Sequence, residues 1–176
     1  MSTLDYDGLI KTLGQLVFEK MLTILPRWLA RYLISPRKIA RKIEVDLRSS
    51  NPIDITFATE IPSLSLYFRI TNLSPANLLL DRLLINLWIG QPTLEGAILE
   101  RHEVPSGNSN ENISFTSQLT IPQQEQIKKK VKEQRLFVPV TIYIKAYFDS
   151  KVGLVFVEKK LELREVLVNG LTSAPS

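Results

Sequence analysis

Val138-Pro139-Val140-Thr141-Ile142-Tyr143-Ile144-Lys145-Ala146-Tyr147-Phe148 puts an apolar residue at every even position and Thr141, Tyr143, Lys145 and Tyr147 between them. A period of two sends successive side chains to opposite faces of an extended chain. The row therefore reads as a strand with one face on a core and the other toward water. Turn residues follow from Asp149 to Gly153, and the apolar residues resume at Leu154, so the pair reads as a hairpin.

The same period runs upstream. Ile43, Val45 and Leu47 alternate with Glu44, Asp46 and Arg48, and Leu64, Leu66, Phe68 and Ile70 alternate with Ser63, Ser65, Tyr67 and Arg69. Leu83, Ile85, Leu87 and Ile89 share one face; Ile113, Phe115, Leu119 and Ile121 alternate with polar neighbours. In this register Ile142 and Phe115 point inward, and Tyr143 and Thr116 point outward. Turn signals divide the runs at Ser50-Asn51-Pro52, Asn72-Leu73-Ser74-Pro75, Gly90-Gln91-Pro92 and Pro105 to Asn110. One segment is helical: Pro122 opens a polar stretch, Gln123 to Arg135, with Ile127 and Val131 four apart as its thin apolar stripe. Seven or eight strands with one helix inserted before the last two predict an antiparallel β-sandwich of immunoglobulin or fibronectin-III type over residues 43–168, with residues 169–176 a flexible tail.

This order of elements resembles the group-2 late embryogenesis abundant proteins, also called the water-stress and hypersensitive-response domain. The likeness covers roughly residues 43–164. It rests on Phe68-Arg69-Ile70-Thr71-Asn72, the run Leu78 to Ile89, Gly90 or Gly96, Val104-Pro105-Ser106, the alternation Ile113 to Ile121, and a helix before the last two strands. That family ends its strand with Asn-Pro, whereas here Asn72 is followed by Leu73-Ser74-Pro75. Both versions can end a strand and turn the chain. The resemblance implies a non-catalytic, stress-protective module and carries no catalytic residue across.

Other chemistry lacks its usual signs. There is no cysteine among the 176 residues, which removes disulfides, thiolate metal sites and cysteine nucleophiles. The single histidine, His102, sits among Glu100, Arg101 and Glu103, and neither a zinc ligand set nor a Gly-x-Ser-x-Gly turn accompanies it. The carboxylate pairs Asp54 with Glu60 and Glu100 with Glu103 lie among turn or solvent-face residues, where nothing separates their pKa values for acid–base work. Lys128-Lys129-Lys130, Lys132 and Arg135 form a basic run with no aromatic residue to stack on bases, so it reads as a solvated helix face and not a nucleic-acid reader. No enzyme activity, cofactor or metal is expected. The triplets Asn72-Leu73-Ser74 and Asn112-Ile113-Ser114 match the glycosylation pattern, but no secretory signal is expected and they read as chance.

What remains is residues 1–42, with eight basic and three acidic side chains; the rest of the chain holds fourteen and fifteen. Leu9, Leu13, Leu16, Val17, Met21, Ile24 and Leu25 recur at helical spacing opposite Lys11, Gln15, Glu19 and Thr23. Pro26 should break this helix, and a further turn or two should run through Trp28, Leu29, Tyr32 and Leu33 until Ser35-Pro36. Two readings stand side by side. In one, residues 9–42 meet an anionic membrane surface or a protein partner through Arg27, Trp28, Arg31, Tyr32, Arg37, Lys38, Arg41 and Lys42. In the other, the helix packs on its own sandwich and closes an edge or end. The sandwich could also hold an apolar ligand between its sheets. The expected location is cytoplasmic, at the periphery of a membrane.

Overall fold

The computed structural model describes residues 17, 20, 21, 24–89, 93–134 and 137–170. Leu9, Leu13 and Leu16 of the apolar stripe, the turn Gly90-Gln91-Pro92, Arg135 and the tail from 171 lie outside these residues. Among the described residues nine strands form two antiparallel-dominated sheets packed as a sandwich. The first sheet is built on β3 (Ser63–Asn72), which pairs with β7 (Ser109–Gln118) along one edge. Its other edge is shared end to end by β1 (Ile43–Leu47) and β2 (Ile53–Thr56). The second sheet is built on β4 (Leu78–Trp88), flanked by β8 (Phe137–Ser150) on one side and by β5 (Thr93–Ile98) with β6 (His102–Val104) on the other. The final strand, β9 (Val155–Asn169), pairs with β8 and makes the predicted hairpin.

Burial follows the alternation. Leu64, Leu66, Phe68 and Ile70 are fully buried from one sheet, and Leu83, Ile85, Ile142, Ile144 and Phe148 from the other. Tyr143 and Thr116 face solvent, as the register requires. Phe115 is half-buried because it lies at the sandwich's margin, where its ring presses on β5. A Cβ at Gly96 would sit 2.1 Å from that ring, so only glycine lets the two sheets approach here. Ile121 departs from the expected alternation. It starts a helix instead of extending a strand, and it is exposed.

Helices cover both ends. α1 (Arg27–Leu33) begins directly after Pro26, whose extended ψ of 148° breaks the preceding helical turn as expected. The chain does not stop at Ser35-Pro36. Ser35 caps α2 (Pro36–Ala40), its hydroxyl accepting from the Lys38 N–H, with Pro36 at the first helical position. At the opposite end α3 (Ile121–Gln134) buries Ile127 and Val131, and the Gln123 side chain accepts from the Thr120 N–H as half of a capping box.

The β3–β4 turn is held by one side chain. Asn72 is fully buried at the end of β3, and its Nδ2 donates to the carbonyls of Ala76 (2.8 Å) and Val104 (2.9 Å). Its Oδ1 accepts from the Ser74 N–H and hydroxyl, and its backbone bonds Asn108 and Gly107. Every polar group of this asparagine is used, which is what makes its burial tolerable. It ties β3, the β3–β4 turn and the β6–β7 turn together at the end where α1 and α2 sit.

Candidate functional site

The N-terminal segment has two faces. Ala30, Ile34 and Ile39 are buried in the common core, with Leu25 and Ala40 packed partly against it. Arg31 reaches across to the β8–β9 turn, where its Nε donates to the Val152 carbonyl at 3.0 Å. At the junction with β1, the Leu73 N–H donates to the Lys42 carbonyl. The segment is therefore docked on its own sandwich.

The opposite face is uncovered and strongly apolar. Val17, Met21, Ile24, Trp28 and Tyr32 are all exposed, Trp28 by 71%, Tyr32 by 87% and Ile24 by 84%, and Leu33 joins them. A tryptophan and a tyrosine this open on docked helices are not fulfilling a packing role. The turns beside them expose two more large apolar residues, Leu73 in β3–β4 and Leu154 in β8–β9. The hydrogen bonds Arg31–Val152 and Leu73–Lys42 place both turns at the same end of the sandwich as α1 and α2.

The same segment carries exposed cations. Arg27, Arg31, Arg37, Lys38, Arg41 and Lys42 are all exposed, and the first turns of α1 and α2 carry no acidic residue. All eight residues singled out from the sequence are exposed on this segment. The structure also separates their roles, since Arg31 is spent partly on the turn beneath it. Leu73 and Leu154 were missed. Their signal was an apolar residue inside a turn of polar and small residues, which is out of place unless something covers it.

No helix among the described residues is long and apolar enough to cross a membrane. Also among them, no group of three His, Asp or Glu side chains converges as a metal site. His102 starts β6 with Glu100 3.9 Å away. Asp54 accepts a hydrogen bond from Asn169, while Glu60, Glu100 and Glu103 stand in solvent.

A second feature lies along the sandwich's side. An open cleft of about 390 Å³ separates the β1–β2 edge from β9. Lys159 pairs with Asp46 at its margin, and Lys160 pairs with Glu162. The hydrogen bond and the charge of Glu162 hold the Lys160 ammonium above its ordinary pKa, with Tyr143 adding to the effect.

At the level of sequence, no protein-family model and no curated protein matches this chain. Solved structures do match in shape. A solution structure of AT1g01470 from Arabidopsis thaliana superposes with a TM-score of 0.54 at 9% identity, over 74% of this chain and 84% of that one. A candidate late embryogenesis abundant protein, At2g46140.1, covers 77% of this chain and 78% of its own at 10% identity and a TM-score of 0.42. An X-ray structure of a structural-genomics target, SoR45, covers 77% and 93% at 15% identity and a TM-score of 0.46. At these identities the likeness is one of fold, and the first of the three bears its weight.

Proposed function

We propose that this chain is a non-catalytic β-sandwich module of late embryogenesis abundant type that rests on an anionic membrane surface through the end carrying α1 and α2. The observation that carries the reading is the exposure at that end of Trp28, Tyr32, Leu33, Leu73 and Leu154, on and beside a helical segment whose arginines and lysines are also exposed. Aromatic residues suit the headgroup level, aliphatic ones the acyl boundary just beneath, and cations the lipid phosphates. Each basic residue near such a surface contributes about 1 kcal/mol, so Arg27, Arg37, Lys38, Arg41 and Lys42 together rival the apolar contact. The cytoplasmic leaflet, which carries the anionic lipid, is the matching surface. The sequence resemblance to the group-2 proteins supports a protective module, and the sandwich shared with AT1g01470 supports the fold on which that resemblance rests.

The test is co-sedimentation with vesicles of phosphatidylcholine and phosphatidylserine at low salt. The intact protein should bind; changing Arg37, Lys38, Arg41 and Lys42 to Gln should weaken binding and reduce its salt dependence. Changing Trp28 and Tyr32 to Ser should weaken it at every salt concentration. Failure of the folded, intact protein to sediment with these vesicles would overturn the proposal.

A further inference from the structure

The cleft beside β9 lies at the seam where the β1–β2 edge of the first sheet meets β9 of the second. β1 and β2 both run antiparallel to β3, and β2 runs parallel to β9, so the β1–β2 edge and β9 lie side by side in one direction. They touch twice: through Ile55 and Thr56 with Val168 and Asn169 at one point, and through the Asp46–Lys159 ion pair at another. Between these contacts residues 48–52 leave the ladder with β3 as a bulge opposite Tyr67, turned by Asn51 at a left-handed φ of 48°. The opening has a half-buried apolar floor of Leu47, Leu161 and Leu163.

Its rim carries two arginines and two carboxylates, Asp46 and Glu162. Arg48 and Arg69 both line the cleft, with Ser49 between them, and neither guanidinium forms an ion pair among the described residues. Arg48 lies over the Tyr67 ring and donates to the Ser50 carbonyl; Arg69 reaches the Ser49 hydroxyl. Asp46 stands across from Arg69 in the strand register but bonds Lys159, and Glu162 bonds Lys160. The carboxylates of the wall are thus matched by lysines, and two oriented guanidiniums are left facing an open space. Planar guanidinium forks favour carboxylates with two-point geometry.

We infer that this cleft takes an acidic peptide segment in extended conformation. The segment lies along the edge of β9, rests an apolar side chain on the leucine floor, and sets a carboxylate between Arg48 and Arg69. Strand addition explains the three features together: a sheet edge supplies backbone pairing, pockets take alternate side chains, and the charges choose the sequence. This site shares no lining residue with the exposed face of the helical end and does not depend on the membrane reading.

The experiment is a titration of the isotopically labelled full chain, without lipid, followed by amide chemical shifts. The probe is an acetylated, amidated pentapeptide alternating Glu and Val. Shifts should concentrate at residues 47–52 and 161–163, and R48Q with R69Q should weaken binding at least tenfold. The analogue with Gln for Glu should lose at least as much on the unaltered protein, a comparison that needs no variant to fold. A probe with proline at its centre should also bind more weakly, because it cannot complete the pairing. The inference is overturned by absence of binding at millimolar peptide, by shifts centred elsewhere, or by equal binding of the Gln or proline analogue. Displacement of the peptide by equimolar inorganic phosphate would equally overturn it, because the site would then be an anion site only.

Discussion

α1 and α3 cap opposite ends of the same sandwich, and each buries a thin apolar stripe: Ala30 with Ile34 beyond its end in one case, Ile127 and Val131 in the other. They differ in what they show to solvent. α3 turns Glu125, Lys128 and Lys129 outward, a charged face that water already satisfies. α1 turns Trp28, Tyr32 and Leu33 outward, next to Leu73 and Leu154. The α3 end is not free of exposed apolar residues, since Ile61 and Ile121 lie there, but it has no exposed aromatic among the described residues. Docking therefore accounts for α3's apolar stripe of Ile127 and Val131 and for only half of α1's pattern. A helix that needs two apolar faces has two surfaces to meet.

The comparison breaks most visibly at the foundation of the helical end. Changing Asn72 to Ala should cost on the order of 4 kcal/mol, because at a fully buried position it removes the Nδ2 bonds to the carbonyls of Ala76 and Val104 and the Oδ1 bonds from the Ser74 N–H and hydroxyl at once. Urea denaturation measures this directly. A loss below about 1 kcal/mol would mean that the turn holds itself, and that the end presenting Trp28 and Tyr32 is not rigidly supported.

Next in size is docking itself. Ile39 and Ile127 are each 1% exposed, one from each capping region, so either change to Ala should cost about 3 kcal/mol. Equal losses would show that both caps belong to one cooperative unit. If the Ile39 variant matched the unaltered protein while the Ile127 variant did not, α2 would be a passenger on the domain, and the two-faced description of this segment would fail.

The long strands were legible because they repeat their period enough times to exclude a helix. Leu64 to Ile70 and Val138 to Phe148 each give four or more inward residues in step. β2, β5 and β6 were not. β2 has one fully buried residue, Ile55, and β5 has Leu94 and Ile98 around a glycine, too few to set a period. Asn72 could be recognised as the end of a strand, but its bond to Val104 spans 32 residues and exists only once the sheets are stacked. The same limit governs the candidate sites. The N-terminal stripe was visibly too wide to stay in water, yet the division into Ala30 below and Trp28 above needs the sandwich in place. The cleft was invisible, because Arg48, Arg69 and Leu161 meet only at the seam between the two sheets.

The smallest effect separates two arginines that look alike in the sequence. Arg31 donates to the Val152 carbonyl and packs beside Gly153, whereas Arg37 has no such contact with the sandwich among the described residues. Changing Arg31 to Gln should lower stability by about 0.5–1 kcal/mol, the ordinary net worth of one partly exposed hydrogen bond. Its effect on vesicle binding should be slight, since that guanidinium is already engaged with the turn. Arg37 to Gln should do the reverse, leaving stability within about 0.5 kcal/mol and weakening binding about fivefold, as the loss of one cation near an anionic surface requires. Thermal melts and vesicle titrations on the same two proteins read both quantities. If the two variants behaved alike in both measurements, Arg31 would not be dividing its work between the domain and the surface. The buried and exposed faces of the segment would then not be separable residue by residue.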